Sequence, residues 1–358
     1  MLDLQPIKRN MHFIRNLFSR SRHGLRNGRY GDLKIALVAD ELTRSALEQE
    51  CRIYNLTPSN YLSVLKKWKP DLVFVESAWQ GYRNNWKYGL ATYPSHPDRT
   101  NEALKCLVTA AEDAGIPSVF WNKEDSTHYD RFIETAKLFK NVFTVDANCI
   151  EKYKRDLSTY DNVATLMFPV QPRFHFPLIE FGPSKGFSCF IGSYSRHIHA
   201  RRRFWQNMLF ETLAPYGLDI YDRNHRRKSE NYRYPLISGM RVRRGVNYRQ
   251  TADIYRGYKI NLNVNTVEDS PTMYSRRLIE ILAVGGVAIS TPSIAVSKLF
   301  SDYCYIVNSY DDLLECVENL RTSAFDTARQ RALEGARVIA QRHTWENRLM
   351  HMEDLSVF

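Results

Sequence analysis

The stretch from Asn261 to Ser290 reads NLNVNTVEDSPTMYSRRLIEILAVGGVAIS. An apolar strand pattern ends in Asn263 and Asn265, and a polar loop leads to Ser270-Pro271-Thr272, a triplet that can start a helix. Arg276, Arg277 and Glu280 ride on that helix before Gly285-Gly286 stops it. Free N–H groups at a helix start donate to phosphate oxygens, and an arginine adds charge-assisted bonds to a diphosphate. Glu280, one turn beyond Arg276 on the same face, can accept bonds from ribose hydroxyls. The grouping can hold a nucleotide-linked sugar, and the same spacing also fits a plain surface helix with an Arg–Glu pair.

A second set of polar residues follows the other strand-like runs. Gly192 and Ser193 form a turn ahead of Arg196, His197, Arg201, Arg202 and Arg203, a suitable neighbour for a diphosphate. Asp40 and Glu41, Glu76, and Glu124 with Asp125 stand after the first three strands, and His128 opens a helix. Among these, Glu76, Asp40, Asp125 and His128 are the candidate catalytic groups, since histidine titrates near neutrality without tuning and a carboxylate needs help from its surroundings. Asp40 and Asp125 fit equally well as helix caps. Trp79, Gln80, Tyr82, Arg83 and Trp86 crowd one segment, where aromatic faces with polar partners suit stacking on a sugar ring or a packed loop.

Those residues need a frame, and the alternation of short apolar runs with helical periods supplies one. It predicts an α/β chain with parallel sheets. Strands are expected at 34–39, 71–76, 118–121, 141–145 and 163–168, and again at 187–191, 218–221, 260–264, 287–290 and 304–307. The long, polar, Arg- and Tyr-rich stretch 223–250 is expected to contain an irregular surface excursion. The expected organisation is a basic amphipathic arm over 1–30, a Rossmann-like acceptor domain over 31–170 and a proline-rich linker over 171–185. A Rossmann-like donor domain over 186–342 and a terminal helix over 343–358 complete it, with the two doubly wound domains facing a central cleft.

Composition narrows the classes. The chain has 358 residues and a formal charge of +11. The first thirty residues carry seven bases and one acid, with Ile7, Met11, Ile14, Leu17 and Phe18 at helical spacing, which suits an anionic membrane surface or a solvated arm. No apolar run is long enough to span a membrane and no secretory leader is evident, so the expectation is a cytoplasmic protein, peripheral at most. Six scattered cysteines read as free thiols. Neither G-x-G-x-x-G nor a Walker A sequence is present, which disfavours a dehydrogenase or P-loop kinase, and no motif supports sequence-specific nucleic-acid binding. The adjacent acids Glu268 and Asp269 diverge rather than converge on a metal.

The segment SPTMYSRRLIEILAVGG resembles the carboxyl-terminal domain of GT-B-fold glycosyltransferases, most closely the spore-maturation CgeB-like family. FVESAWQG (74–81), FWNKEDSTHYDRF (120–132), FTVDANC (143–149), LDIYDRN (218–224) and HTWENRL (343–349) are similar in the same order. The resemblance implies transfer of a sugar from a nucleoside diphosphate sugar to a cell-surface glycan, lipid-linked or polymeric acceptor, without metal or further cofactor. Glu280 matches the second of the paired glutamates common in that fold group, and Thr272 stands where the first would be, a departure that leaves the stereochemistry open. By the same resemblance Arg276 or Arg277 holds the diphosphate, and the terminal helix crosses back to the first domain. A sugar-nucleotide epimerase of the same fold and a non-catalytic basic scaffold are the alternatives.

Overall fold

The computed structural model describes residues 28–178, 185–322 and 324–358, so all but the last three residues of the basic arm, and part of the proline-rich linker, lie outside the described residues. The chain divides into two compact units. The amino-terminal unit runs to Gln171 and includes Ser270–Met273 and Thr344–Phe358; the carboxyl-terminal unit contains Pro172–Asp269 and Tyr274–His343.

The amino-terminal unit is built on a parallel sheet of order β2-β1-β3-β4-β5-β6. Its strands are β1 (Lys34–Val38), β2 (Arg52–Asn55), β3 (Leu72–Glu76), β4 (Ser118–Asn122), β5 (Asn141–Thr144) and β6 (Asn162–Thr165). Strands such as LVFVE are buried along their whole length because helices cover both faces of such a sheet, hence the near-continuous apolar runs. The edge strand β2, RIYN, escapes the sequence reading because it is short, none of its positions is fully buried and its apolar pair is flanked by Arg52 and Asn55. Trp121, at the end of β4, is fully buried, meets Phe74, Phe168 and Trp345 edge-on, and donates from Nε1 to the Leu166 carbonyl at 2.8 Å. Trp345 opens the helix Trp345–Asp354, which starts in a capping box between Thr344 and Asn347.

The carboxyl-terminal unit has a second parallel sheet, of order β12-β11-β10-β7-β8-β9. It comprises β7 (Gly186–Gly192), β8 (Leu218–Asp222), β9 (Met240–Arg244), β10 (Tyr258–Asn263), β11 (Ala288–Ser290) and β12 (Tyr305–Ile306). No strand is expected within 223–250, and β9 corrects that. Its MRVRR sequence pairs in parallel with β8, and Arg241 and Arg243 form ion pairs with the buried Asp219 at 2.8 and 3.1 Å. Buried charge on the neighbouring strand thus stands in for apolar patterning on this edge.

The expected helix start at Ser270 is also corrected. The helix spans Arg276–Ala283 with Ser275 at its cap, because the Ser270–Thr272 hydroxyls bond elsewhere. Ser270 Oγ donates to Asp146 Oδ1 at 2.6 Å and accepts from the Met273 amide, while Thr272 Oγ1 donates to the Val145 carbonyl and accepts from the Ala147 amide.

In each sheet the first strand lies between neighbours reached by connections that leave in opposite directions. Such a switch point opens a crevice outside the carboxyl ends of the two central strands. In the amino-terminal unit the point lies between β1 and β3, at Asp40 and Glu76. In the carboxyl-terminal unit it lies between β7 and β10, at Gly192–Ser193 and Val264–Asn265. Among the described residues no helix is long and apolar enough to cross a membrane.

Candidate functional site

Arg277 occupies the β7/β10 switch point. Its Nε donates to the Ile191 carbonyl at 2.6 Å, and Nη1 reaches Asn263 Oδ1, the Val264 carbonyl and Ser275 Oγ, each at 3.4 Å. The guanidinium lies 4.3 Å above the Phe190 ring. Nη2 is left beside Gly192 with no hydrogen-bond acceptor among the described residues. A Cβ on Gly192 would meet the Phe190 ring at 2.5 Å and this Nη2 at 2.8 Å, so a glycine is required there for close packing rather than for its φ. Asn265 completes the frame: it donates to the Thr291 carbonyl and accepts the Ser275 amide, fixing where the helix begins.

Three further groups surround this arginine. Arg202 donates from Nη2 to the Ser193 carbonyl, and its enclosed Nε has no partner. Burial, with the charges of Arg277 and Arg223, pushes the Arg202 pKa down to about 10. The hydroxyl of the buried Tyr234 is likewise unpartnered. Among the described residues neither Arg202 nor Arg277 is ion-paired to a carboxylate. Enclosed cations of this kind are costly unless an anion joins them. Arg196 is exposed and bonds to the Arg233 carbonyl, outside this cluster of enclosed donors. Arg276 is half-buried at the helix start.

Glu280 is buried, with the Tyr255 hydroxyl 3.5 Å from Oε2. Burial pushes its carboxyl up to about 7, against the pull of Arg276, Arg223 and Arg277. The folded protein therefore keeps a proton that the unfolded chain has already lost. Stability from this group is complete below the ordinary carboxyl range and is lost as pH rises through about 7. Glu280→Gln is expected to be more stable than the parent at about pH 8, by on the order of 3 kcal/mol, and nearly equal to it at about pH 4. Urea unfolding at both values checks this; an unchanged difference between the two would contradict it.

At the β1/β3 switch point the carboxylates are already engaged. Asp40 stands at the cap position of the helix Glu41–Leu47 but makes no capping bond. It accepts instead from three successive amides, Trp79, Gln80 and Gly81, at 3.1, 3.1 and 2.8 Å. Glu76 is fully buried and accepts from the Asp40 amide at 2.6 Å and from Thr43 Oγ1. Burial raises its pKa, while Lys123 opposes the shift. Lys123 lies 2.6 Å from Glu124 Oε1 and 3.8 Å from Asp40 Oδ2; burial disfavours its charge, yet Glu124, Glu76 and Asp40 raise its pKa on balance. Sequence reasoning passed over Lys123, although it follows β4 by the same rule that picked out Glu124.

His128 is half-buried, edge-on to Trp79 with ring centroids 5.2 Å apart. Burial, aided by Arg131 and Lys123 and opposed by Glu124, holds its pKa below the usual imidazole value, so it is neutral at pH 7 and able to accept a proton. Asp125 has a different place. It is fully buried and bonded by Asn122 Nδ2, Thr144 Oγ1 and the Tyr153 hydroxyl at 2.7 to 2.8 Å, so it neither caps the next helix nor presents an oxygen to a substrate. Trp86 is also a core residue: it is 1% exposed, and its Nε1 is bonded to the Leu56 carbonyl at 2.8 Å, which removes it from any acceptor surface. Trp79 and Tyr82 are half-buried, Gln80 and Arg83 exposed, and Arg83 stacks 5.1 Å from the Tyr82 ring.

A family model described as glycosyl transferase-like matches residues 201–354. A search of curated proteins gives no match. Among solved structures, a glycosyltransferase from Rickettsia africae ESF-5 is similar at 12% identity over 90% of this chain and 89% of that one, with a TM-score of 0.54. Anabaena Alr3699/HepE in complex with UDP-glucose is similar at 13% identity over 91% and 92% of the two chains, also with a TM-score of 0.54. The fold is GT-B. On this GT-B chain the family match takes in Arg202, Tyr234, Arg277 and Glu280, while Gly192, Ser193 and every amino-terminal candidate lie before it.

Proposed function

We propose that the protein is a glycosyltransferase of the CgeB-like type, moving a sugar from a nucleoside diphosphate sugar to a glycan, lipid-linked or polymeric acceptor. The observation that carries this reading is the pair of enclosed guanidinium groups, Arg277 and Arg202, at the β7/β10 crevice without a carboxylate partner. A diphosphate supplies the missing charge. Gly192 and Ser193 let it approach, Arg276 adds a further cation, and Glu280 accepts from the ribose. The segment Ser270-Pro271-Thr272 takes a supporting role, since its hydroxyls are already bonded.

Transfer breaks the bond between the sugar's anomeric carbon and the diphosphate oxygen and forms one to the acceptor oxygen. The acceptor hydroxyl releases its proton. The arginines stabilise charge as it grows on the leaving diphosphate, where preorganised donors act most strongly, and the reading calls for no metal. His128 is the acceptor base, with Trp79, Gln80, Tyr82 and Arg83 as the acceptor surface. The HepE structures are complexes with UDP and with UDP-glucose, so uridine nucleotides are the first to try.

A thermal-shift panel of nucleoside diphosphates and their sugars tests the donor, because a ligand bound by the folded state raises stability according to its concentration over its Kd. No shift with any of them would end this reading. An epimerase would convert the donor without an acceptor, whereas a transferase releases free nucleoside diphosphate in proportion to acceptor added. His128→Gln is expected to lower turnover by roughly 100-fold or more with donor binding unchanged, the range a general base contributes. Because burial holds the imidazole pKa down, the acid limb of the parent's pH–rate profile should fall below the ordinary histidine range. Full turnover by the variant would remove His128 from the chemistry.

A further inference from the structure

The segment Arg223–Arg244, between the ends of β8 and β9, carries eight bases and one acid, Glu230. Arg241 and Arg243 are committed to Asp219, and Arg233 lies 3.8 Å from Glu230. Arg223, Arg226, Arg227, Lys228 and Arg244 remain, all exposed and none ion-paired among the described residues. They form a surface continuous with the β7/β10 crevice. The Arg223 amide donates to the Gly192 carbonyl at 2.8 Å, and Arg227 lies 4.4 Å over the Tyr232 ring, whose other neighbour is His197 at 5.4 Å, edge-on. The Arg196 amide donates to the Asn231 carbonyl, which joins the turn after β7 to the same surface.

We infer that this surface binds an acidic polysaccharide, so that the acceptor is a sugar chain carrying repeated negative charge. The inference rests on the transferase reading above for its link to turnover, though not for binding itself. Unpaired guanidinium groups match carboxylate and phosphate oxygens in a forked geometry, and the exposed His197 ring, edge-on to the Arg227-covered Tyr232, offers an aromatic surface to a sugar ring. Five exposed cations on a segment joined to the diphosphate crevice suit a polymer of repeated charge better than a single small anion. A lipid headgroup would need no aromatic faces, and base readout by a nucleic acid has no motif here.

The test uses the full chain with labelled polygalacturonate, uncharged dextran of equal length, single-stranded RNA and phosphatidylserine vesicles. Polygalacturonate should bind, dextran should not, and affinity should fall steeply as salt is raised. The triple variant Arg226→Ala, Arg227→Ala, Lys228→Ala should lose polygalacturonate affinity by tenfold or more, while its UDP-induced thermal shift equals the parent's. Equal polymer binding by parent and triple variant overturns the inference, as does binding of RNA or vesicles in preference to polygalacturonate. Absence of a shift with every nucleoside diphosphate and nucleoside diphosphate sugar in the parent, with polymer binding intact, would instead overturn the donor reading and leave this surface standing.

Discussion

Arg277→Ala is expected to weaken nucleoside diphosphate binding by about 100-fold or more, on the order of 3 kcal/mol, the usual loss when one partner of an enclosed charge–charge contact is truncated. The effect should be large because this guanidinium is oriented before ligand arrives: Ile191, Asn263, Val264 and Ser275 hold two of its three nitrogens, Nε and Nη1, and Phe190 its face. Nη2 alone is left to meet a phosphate oxygen. Arg277→Lys keeps the charge and loses the planar fork, so it should fall between parent and alanine. Both variants leave strand-end carbonyls without their donor and will melt lower than the parent. Calorimetric titration well below the melting range separates the two effects. Unchanged UDP affinity in Arg277→Ala would leave the crevice without its proposed ligand.

Trp121→Ala should give the largest loss of stability, about 3–5 kcal/mol, as expected for deletion of a fully buried indole. The side chain fills the space between Phe74, Phe168 and Trp345, and its Nε1 satisfies the Leu166 carbonyl. Its own carbonyl accepts the Ser77 amide, and Ser77 Oγ in turn accepts the Lys123 amide, so the strand ends carrying Glu76 and Lys123 rest on it. Trp121→Phe, which keeps most of the volume and drops the hydrogen bond, should cost far less. Denaturant unfolding of the two variants checks the ranking, and equal losses would mean that the bond, not the packing, dominates.

Both sheets were legible in the sequence because a strand buried on two faces reads as a continuous apolar run. The two edge strands beyond that pattern, RIYN and MRVRR, were not, since two of four positions in the first and four of five in the second are exposed. The crevice residues Gly192, Arg277 and Glu280 could be found from strand-to-helix junctions alone. Tyr234 could not, because it comes from a polar excursion and reaches the cluster only through tertiary packing. Local rules misled most where hydroxyls and carboxylates had a choice of partner. Ser270-Pro271-Thr272 resembles a helix start and instead bonds to Val145, Asp146 and Ala147; Asp40 stands at a cap and Asp125 three residues before one, at His128, and both spend their oxygens on other donors.

The three amides gathered by Asp40 affect how any mutagenesis of this region would be read. Neutralising that carboxylate, as in Asp40→Ala, releases the backbone that presents Trp79, Gln80 and Tyr82, and it also strips Lys123 of a counter-charge. An inactive variant would then look like the loss of a proton acceptor although the oxygen removed was tethering a loop. Kinetic phenotype and chemical participation come apart at this position, and a loss of acceptor affinity, rather than a shifted pH profile, is the signature that tells them apart.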